Sequence, residues 1–145
     1  LGEISQYALT DTDIRSITIP TSVTSIGSHS FALCHALTSV EFEDIDNSNC
    51  RVINEYAFDN TQQLKNITIP SGVTTIGNHA FKSSSLTSII FRPDSRLSNV
   101  GHSSLDTTGD LEIMLEYPNR IHIFNYNYGV IIEDNMTVYD GQVTE

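Results

Sequence analysis

Two stretches of eleven residues are nearly identical although they lie far apart in the chain. Residues 17–27 read ITIPTSVTSIG, and residues 67–77 read ITIPSGVTTIG. The differences between them are conservative and leave the apolar spacing unchanged. Internal repetition at a fixed spacing is the signature of an architecture made of stacked units, so it constrains the fold more than any other feature of this sequence.

Looser copies of the pattern I-G-x-x-A-F define columns of apolar residues along the chain. One column contains Ile4, Ile26, Ile53, Ile76 and Val100, and five residues later another contains Leu9, Phe31, Phe58, Phe81 and Leu105. A further column opens each unit with Ile14, Leu37, Leu64, Leu86 and Leu111, which gives spacings of 23, 27, 22 and 25 residues. Units this small cannot bury an apolar side alone, so they must stack into a solenoid around one core.

The segments ITI, VEF and IIF alternate with a period of two, which indicates strands with one buried face. Strands that recur once per unit lie parallel, and Pro20 and Pro70 end two of them because proline has no N–H. After a bend at Gly27 or Gly77, the chain has room for about two turns of α or 3₁₀ helix. We therefore predict an α/β solenoid, a right-handed superhelix with one parallel sheet of about five short strands and short helices or turns on the opposite side.

The units also alternate in type. The first and third carry ITIP, whereas the second and fourth carry LTSVEF and LTSIIF. This super-period of about two units is consistent with duplication of a pair. The nearly identical stretches are then the same half of a duplicated pair.

The aligned columns resemble the BspA-like, Treponema pallidum-type leucine-rich repeats, whose consensus runs approximately L-x-x-I-x-I-P-x-x-V-x-x-I-G-x-x-A-F-x-x-C-x-x-L. The resemblance covers Leu1 to about Leu115. The chain departs from the consensus at an insertion around residues 43–49, and only Cys34 occupies the cysteine position. The fifth unit, LEIMLEY, slips out of register.

The resemblance gives a domain division. We expect leucine-rich repeats over residues 1–116, in about five coils of which the first is incomplete. Residues 117–145 are expected to form a C-terminal capping segment or the start of a following domain, since the last coil of a solenoid otherwise exposes apolar edges. The incomplete first coil favours a piece of a longer array.

Charge excludes two classes of partner. The chain carries 18 acidic and 7 basic residues, a net charge of −11, and therefore repels phosphate backbones and anionic lipid. No run approaches the roughly 20 apolar residues that span a bilayer. We predict no nucleic-acid partner and no membrane insertion.

No motif for catalysis is present, because HExxH, paired CxxC and G-x-S-x-G are all absent. Cys34 and Cys50 fall in core columns and are expected to be buried free thiols. We predict that the chain is not an enzyme and uses no cofactor or metal. Residues 44–55, DIDNSNCRVINE, place acidic or hydroxyl side chains at four EF-hand positions, but Asn49 replaces the required glycine. A solvated acidic bulge is favoured over a calcium loop, which stays an alternative.

Strand side chains that point away from the core form two columns on the predicted sheet face. These are Ser16, Ser39, Asn66 and Ser88, and Thr18, Glu41, Thr68 and Ile90. Solenoids use such faces as binding platforms, so these eight residues are the predicted binding site. A competing row on the opposite side contains Tyr7, His29, Tyr56 and His79. Ile113 and Leu115 interrupt the polar pattern together with Ile90, either beneath the C-terminal segment or as an exposed contact.

The family resemblance implies a non-catalytic binding module of a secreted or cell-surface protein. Such a module mediates adhesion or protein–protein recognition, with a host or matrix protein or another cell-surface protein as its ligand. The alternative is a structural spacer that displays other domains and has no ligand of its own. Fold alone does not decide between them, because one fold hosts many functions.

Overall fold

The computed structural model describes residues 2–125 and 129–132. Within them the strands, in chain order, are β1 (Glu3–Ile4), β2 (Ser16–Ile19), β3 (Ser25–Ile26), β4 (Ser39–Phe42), β5 (Val52–Ile53), β6 (Asn66–Ile69), β7 (Thr75–Ile76), β8 (Ser88–Phe91), β9 (Asn99–Val100), β10 (Glu112–Leu115), β11 (Ile121–Asn125) and β12 (Gly129–Ile132). Each complete coil contributes one four-residue strand and one two-residue strand.

The two-residue strands form a continuous parallel sheet. Its order is β1-β3-β5-β7-β9, so each strand pairs with the equivalent strand of the next coil. The register joins the apolar column directly, with Ile26 opposite Ile53 and Ile53 opposite Ile76. This continuous sheet therefore runs through every coil from residue 3 to residue 100.

The four-residue strands form parallel pairings that are interrupted once. Strand β2 pairs with β4, and β6 pairs with β8, which pairs with β10. Along each strand burial alternates, as in β4, where Val40 and Phe42 are buried and Glu41 is exposed. We call this discontinuous surface the split sheet. The sequence predicted the strands of this face but placed them in a single parallel sheet. Within the described residues the parallel strands form two faces, the continuous sheet and the split sheet.

The predicted short helices are not present in the described residues, where that segment of each coil is a series of turns. Positive φ angles recur there at Tyr7, His29, Tyr56, His79 and Ser103, as the third residue of a type II turn requires. The amide of Ser30 closes such a turn on the Gly27 carbonyl at 3.2 Å, while the His29 amide donates to Glu55 of the next coil at 3.1 Å. A helix would use both amides within its own coil. Bonding between coils therefore replaces the helix, and the described fold is all-β.

The core is one stack of apolar columns. The rings of Phe31, Phe58 and Phe81 are fully buried and lie parallel, with centroids 5.1 and 5.2 Å apart. Cys34 and Cys50 are both buried and free, as predicted. Burial raises the pKa of the Cys50 thiol to about 11, because the low-dielectric interior disfavours the thiolate. The predicted phenylalanine column is confirmed.

The fifth coil shows how its register slips. Ile113 lies opposite Ile89 and Leu115 opposite Phe91, and both side chains are buried. They therefore belong to the core rather than to a surface contact, and Met114 takes the outward position beside Ile90. Further along, β11 pairs antiparallel with β12. Residues 126–128 and 133–145 of the expected capping segment lie outside the described residues.

Candidate binding surface

The structure places all eight predicted site residues on the split sheet. Register pairs Ser16 with Ser39 and Thr18 with Glu41, and separately pairs Asn66 with Ser88 and Thr68 with Ile90. Ser16, Thr18, Glu41 and Asn66 are exposed, whereas Ser39, Thr68, Ser88 and Ile90 are half-buried. The predicted columns are therefore two half-columns on either side of a gap between β4 and β6.

Proline explains the gap at one end of the strands. The amides of Glu43, Arg92 and Glu116 each donate to the previous coil, to Ile19 at 2.9 Å, Ile69 at 3.2 Å and Phe91 at 3.0 Å respectively. Pro70 occupies the equivalent position in the third coil and has no N–H to donate to Phe42. The alternation of coil types seen in the sequence thus becomes a break in the sheet.

At the other end of the gap a backbone hydrogen bond between the second and third coils is also missing. Thr38 donates its amide to Arg15 at 2.8 Å, and Thr87 donates to Lys65 at 2.7 Å. The hydroxyls of both threonines reinforce these bonds at 3.0 Å. Lys65 takes the corresponding position in the third coil, lacks a hydroxyl, and forms no such bond to Thr38 within the described residues.

A groove of about 470 Å³ lies over this gap. It is lined by five of the eight predicted residues, Ser39, Glu41, Asn66, Thr68 and Ile90, together with the side chains of Ile45, Arg92 and Glu116. We call it the β4–β6 groove. Ser16, Thr18 and Ser88 lie on the same face but outside it. The residue columns located the groove only in part.

Arg92 joins the two sides at one end of the groove. It donates to the Asp46 carboxylate at 2.7 Å, and its other terminal nitrogen lies 3.2 Å from Glu116. The hydrogen bond to Asp46 raises the pKa of the guanidinium above its ordinary value. Sequence analysis missed this cluster. Its signal was available, since Arg92 and Glu116 occupy the column that holds Pro20 and Pro70 and carry opposite charges.

The acidic insertion belongs to this cluster. Asn47 donates to Asp44 at 2.8 Å, and Asn49 donates to the Thr21 carbonyl at 2.9 Å, so the insertion is tied to itself and to the preceding coil. The Asp46 carboxylate, which a calcium loop would need, is paired with Arg92. Among residues 2–125 and 129–132, no three or more His, Cys, Asp or Glu side chains converge as metal ligands would.

The competing row on the turn side is a stack of rings. Tyr7 and His29 are 4.7 Å apart, His29 and Tyr56 4.7 Å, and Tyr56 and His79 4.8 Å, all with nearly parallel planes. Each inner ring has both faces covered by its neighbours, so the row presents ring edges to solvent. A smaller cavity of about 360 Å³ lies beside the row and is lined in part by Ser28, Glu55 and Asn78, the chain neighbours of the stacked rings.

Comparison with known proteins defines the class of this solenoid. Residues 2–128 match six copies of the BspA type leucine rich repeat region. The chain therefore belongs to this family of leucine-rich repeat proteins, and the predicted resemblance is confirmed. A comparison with curated proteins gave no match.

Crystal structures similar to the chain include two leucine-rich repeat proteins. A leucine-rich repeat protein from Bacteroides capillosus is 34% identical with a TM-score of 0.56, and the alignment covers 63% of each chain. The T. pallidum leucine-rich repeat protein is 25% identical with a TM-score of 0.65, over 72% of this chain and 47% of that one. The chain thus spans about half to two thirds of the length of these structures. Among residues 2–125 and 129–132 there is no helical segment that could span a bilayer.

Proposed function

We propose that the chain is a non-catalytic binding module that recognises a protein ligand through the split sheet. The β4–β6 groove carries this proposal, because it brings five predicted binding residues and three further side chains together on one face. Pockets that bind ligands combine apolar walls with a few polar groups, and here Ile45 and Ile90 accompany Glu41 and Thr68.

The polar side chains of the groove are available to a ligand. Elsewhere in the coils, the hydroxyls of Thr74 and Thr87 donate to carbonyls of the preceding coil. Within the described residues, Ser39, Glu41 and Thr68 make no hydrogen bond with their side chains. The hydroxyls of Thr74 and Thr87 hold coils together, whereas those of Ser39 and Thr68 serve no structural bond.

The expected setting is a secreted or cell-surface protein that mediates adhesion or recognition of a host or matrix protein, or of another cell-surface protein. Family membership supports this setting, and the net charge of −11 disfavours nucleic acid as a ligand. The competing function is a spacer that displays other domains. The repeated bonding between coils would suit a spacer, whereas an open groove would not be needed.

A binding assay separates the two functions. The wild-type chain is tested by surface plasmon resonance against a panel of purified matrix proteins, beside a double variant with Thr18→Arg and Thr68→Arg. A protein that binds the wild type should not bind the double variant, because the two arginine side chains would protrude from the split sheet. The control Tyr56→Ser, on the turn side, should bind normally. Binding that survives the double variant unchanged would favour the spacer.

A further inference from the structure

The β4–β6 groove is a trough that runs along the strands. In the outward row across the coils, the short Thr68 side chain lies between the longer side chains of Glu41 and Ile90. Ile45 from the insertion also lines the groove. Because outward side chains along one strand repeat at about 6.6 Å, an extended ligand laid along the trough meets Ser39 and Glu41, or Asn66 and Thr68, at its own residue spacing.

The walls of the trough carry more negative than positive charge. Arg92 is the cation among the lining residues, and it is shared between Asp46 and Glu116. One positive against two negative charges leaves that cluster acidic. Glu41 adds a further carboxylate that is exposed and forms no ion pair within the described residues. Opposite charge would therefore favour a basic ligand.

The backbone at the gap also has hydrogen-bonding capacity. Register orients the Thr68 amide toward β4, because the carbonyls of Ile67 and Ile69 face β8. Strand β4 is not paired with β6, so that amide has no ladder partner. The Asn66 side chain at the mouth of the groove adds an amide that can donate and accept. An extended peptide can use such groups along its whole length.

We propose that the β4–β6 groove binds an extended basic segment of a polypeptide, laid parallel to the strands. A Lys or Arg side chain of the ligand pairs with Glu41 on one wall of the trough, and an apolar side chain packs against Ile90 on the other. This inference rests on the split sheet being the binding surface. It adds the location within that surface, the charge of the ligand and its extended conformation.

The test uses a phage-displayed library of random linear peptides, selected in parallel on the wild-type chain and on two variants. Thr68→Arg places a cation on the floor of the groove. Thr108→Arg adds the same charge at an exposed threonine outside the split sheet and serves as the matched control. We expect peptides enriched in Lys or Arg on the wild type, with affinity about tenfold or more weaker for Thr68→Arg and unchanged for Thr108→Arg.

A second variant tests the carboxylate without adding bulk. Glu41→Gln keeps an exposed side chain of the same size, so it should not affect folding, and it should weaken the selected peptides and reduce the salt dependence of their binding. Circular dichroism of each variant checks that the fold is retained. Enrichment of acidic or uncharged peptides, equal binding to Thr68→Arg and wild type, equal losses in the two Arg variants, or no enrichment would each overturn the inference.

The outcomes also separate this inference from the proposed function. One outcome is that a matrix protein fails to bind the double Arg variant and still binds the Thr68→Arg variant. That result would overturn the groove as the site and leave the split sheet as the binding surface. Peptide selection that behaves as expected, with no protein of the panel bound, would support the groove and leave the natural ligand outside the panel.

Discussion

The continuous sheet and the split sheet are built from the same coils but differ in what their polar groups do. In the continuous sheet every strand pairs with the next coil, from β1 to β9. In the split sheet one pairing is missing, between β4 and β6, and the side chains of Ser39, Glu41 and Thr68 beside that gap form no hydrogen bond or ion pair within the described residues. A repeat protein can thus hold its shape with one face and leave another open to a partner.

The difference originates in one alternating position. Coils with a strand-end amide, such as those of Glu43 and Arg92, bond to the coil before them. The coil with Pro70 cannot do so, and no other face of that coil depends on this amide. The bonds between turns and the continuous sheet pass through the third coil without interruption. The Tyr56 amide donates from the second coil to the third, and the His79 amide donates from the third coil to the fourth.

The largest expected effect is on the stacked core that supports both faces. Phe58 is fully buried between Phe31 and Phe81, so Phe58→Ala should lower the free energy of unfolding by about 3–5 kcal/mol. Urea denaturation measures this. A loss below about 1 kcal/mol would mean that the aromatic column does not support the coils.

A smaller effect is expected where the coils of the continuous face approach most closely. A Cβ at Gly77 would lie 2.6 Å from the Glu55 nitrogen, whereas a Cβ at Gly109 would meet nothing within 4 Å. Gly77→Ala should therefore destabilise the chain by about 1–3 kcal/mol through overpacking. The matched control Gly109→Ala should not. If the two variants melted at the same temperature, the coils could not lie as close together at Gly77 as the structure shows.

The smallest effect is expected at the split sheet. Arg92 is paired with two partly exposed carboxylates, and exposed ion pairs contribute about 0.2–1 kcal/mol. Arg92→Ala should lower the free energy of unfolding within that range, and the difference from wild type should shrink at high salt. A larger loss that salt does not change would mean that Arg92 stabilises the coils through packing.

The sequence predicted the coils because each core position recurs once in every repeat. The columns containing Phe58 and Ile53 identified buried residues and the register between coils. The helices were predicted wrongly, since a segment such as SHSFALC has a suitable length for either a helix or turns, and bonding to neighbouring coils decides between them. Those bonds join residues more than twenty positions apart, which local pattern does not report.

The candidate site was predicted in part for a related reason. Alternation within each strand identified the outward residues, including Thr68 and Glu41, but treats every coil as equal. The gap arises because Pro70 of the third coil has no N–H to donate to the second coil. The Asp46–Arg92 pair joins the second coil to the fourth. The super-period of two coils was visible in the sequence, but its consequence for the sheet required the structure.

Amide hydrogen exchange tests the split most directly. Thr68 and Ile90 occupy equivalent positions in β6 and β8, and register directs the Thr68 amide toward the gap and the Ile90 amide toward β6. In the native protein we expect the Thr68 amide to exchange at least about tenfold faster than that of Ile90, after correction for intrinsic rates. Equal protection of the two amides would show a bonded sheet between β4 and β6 and would contradict the split.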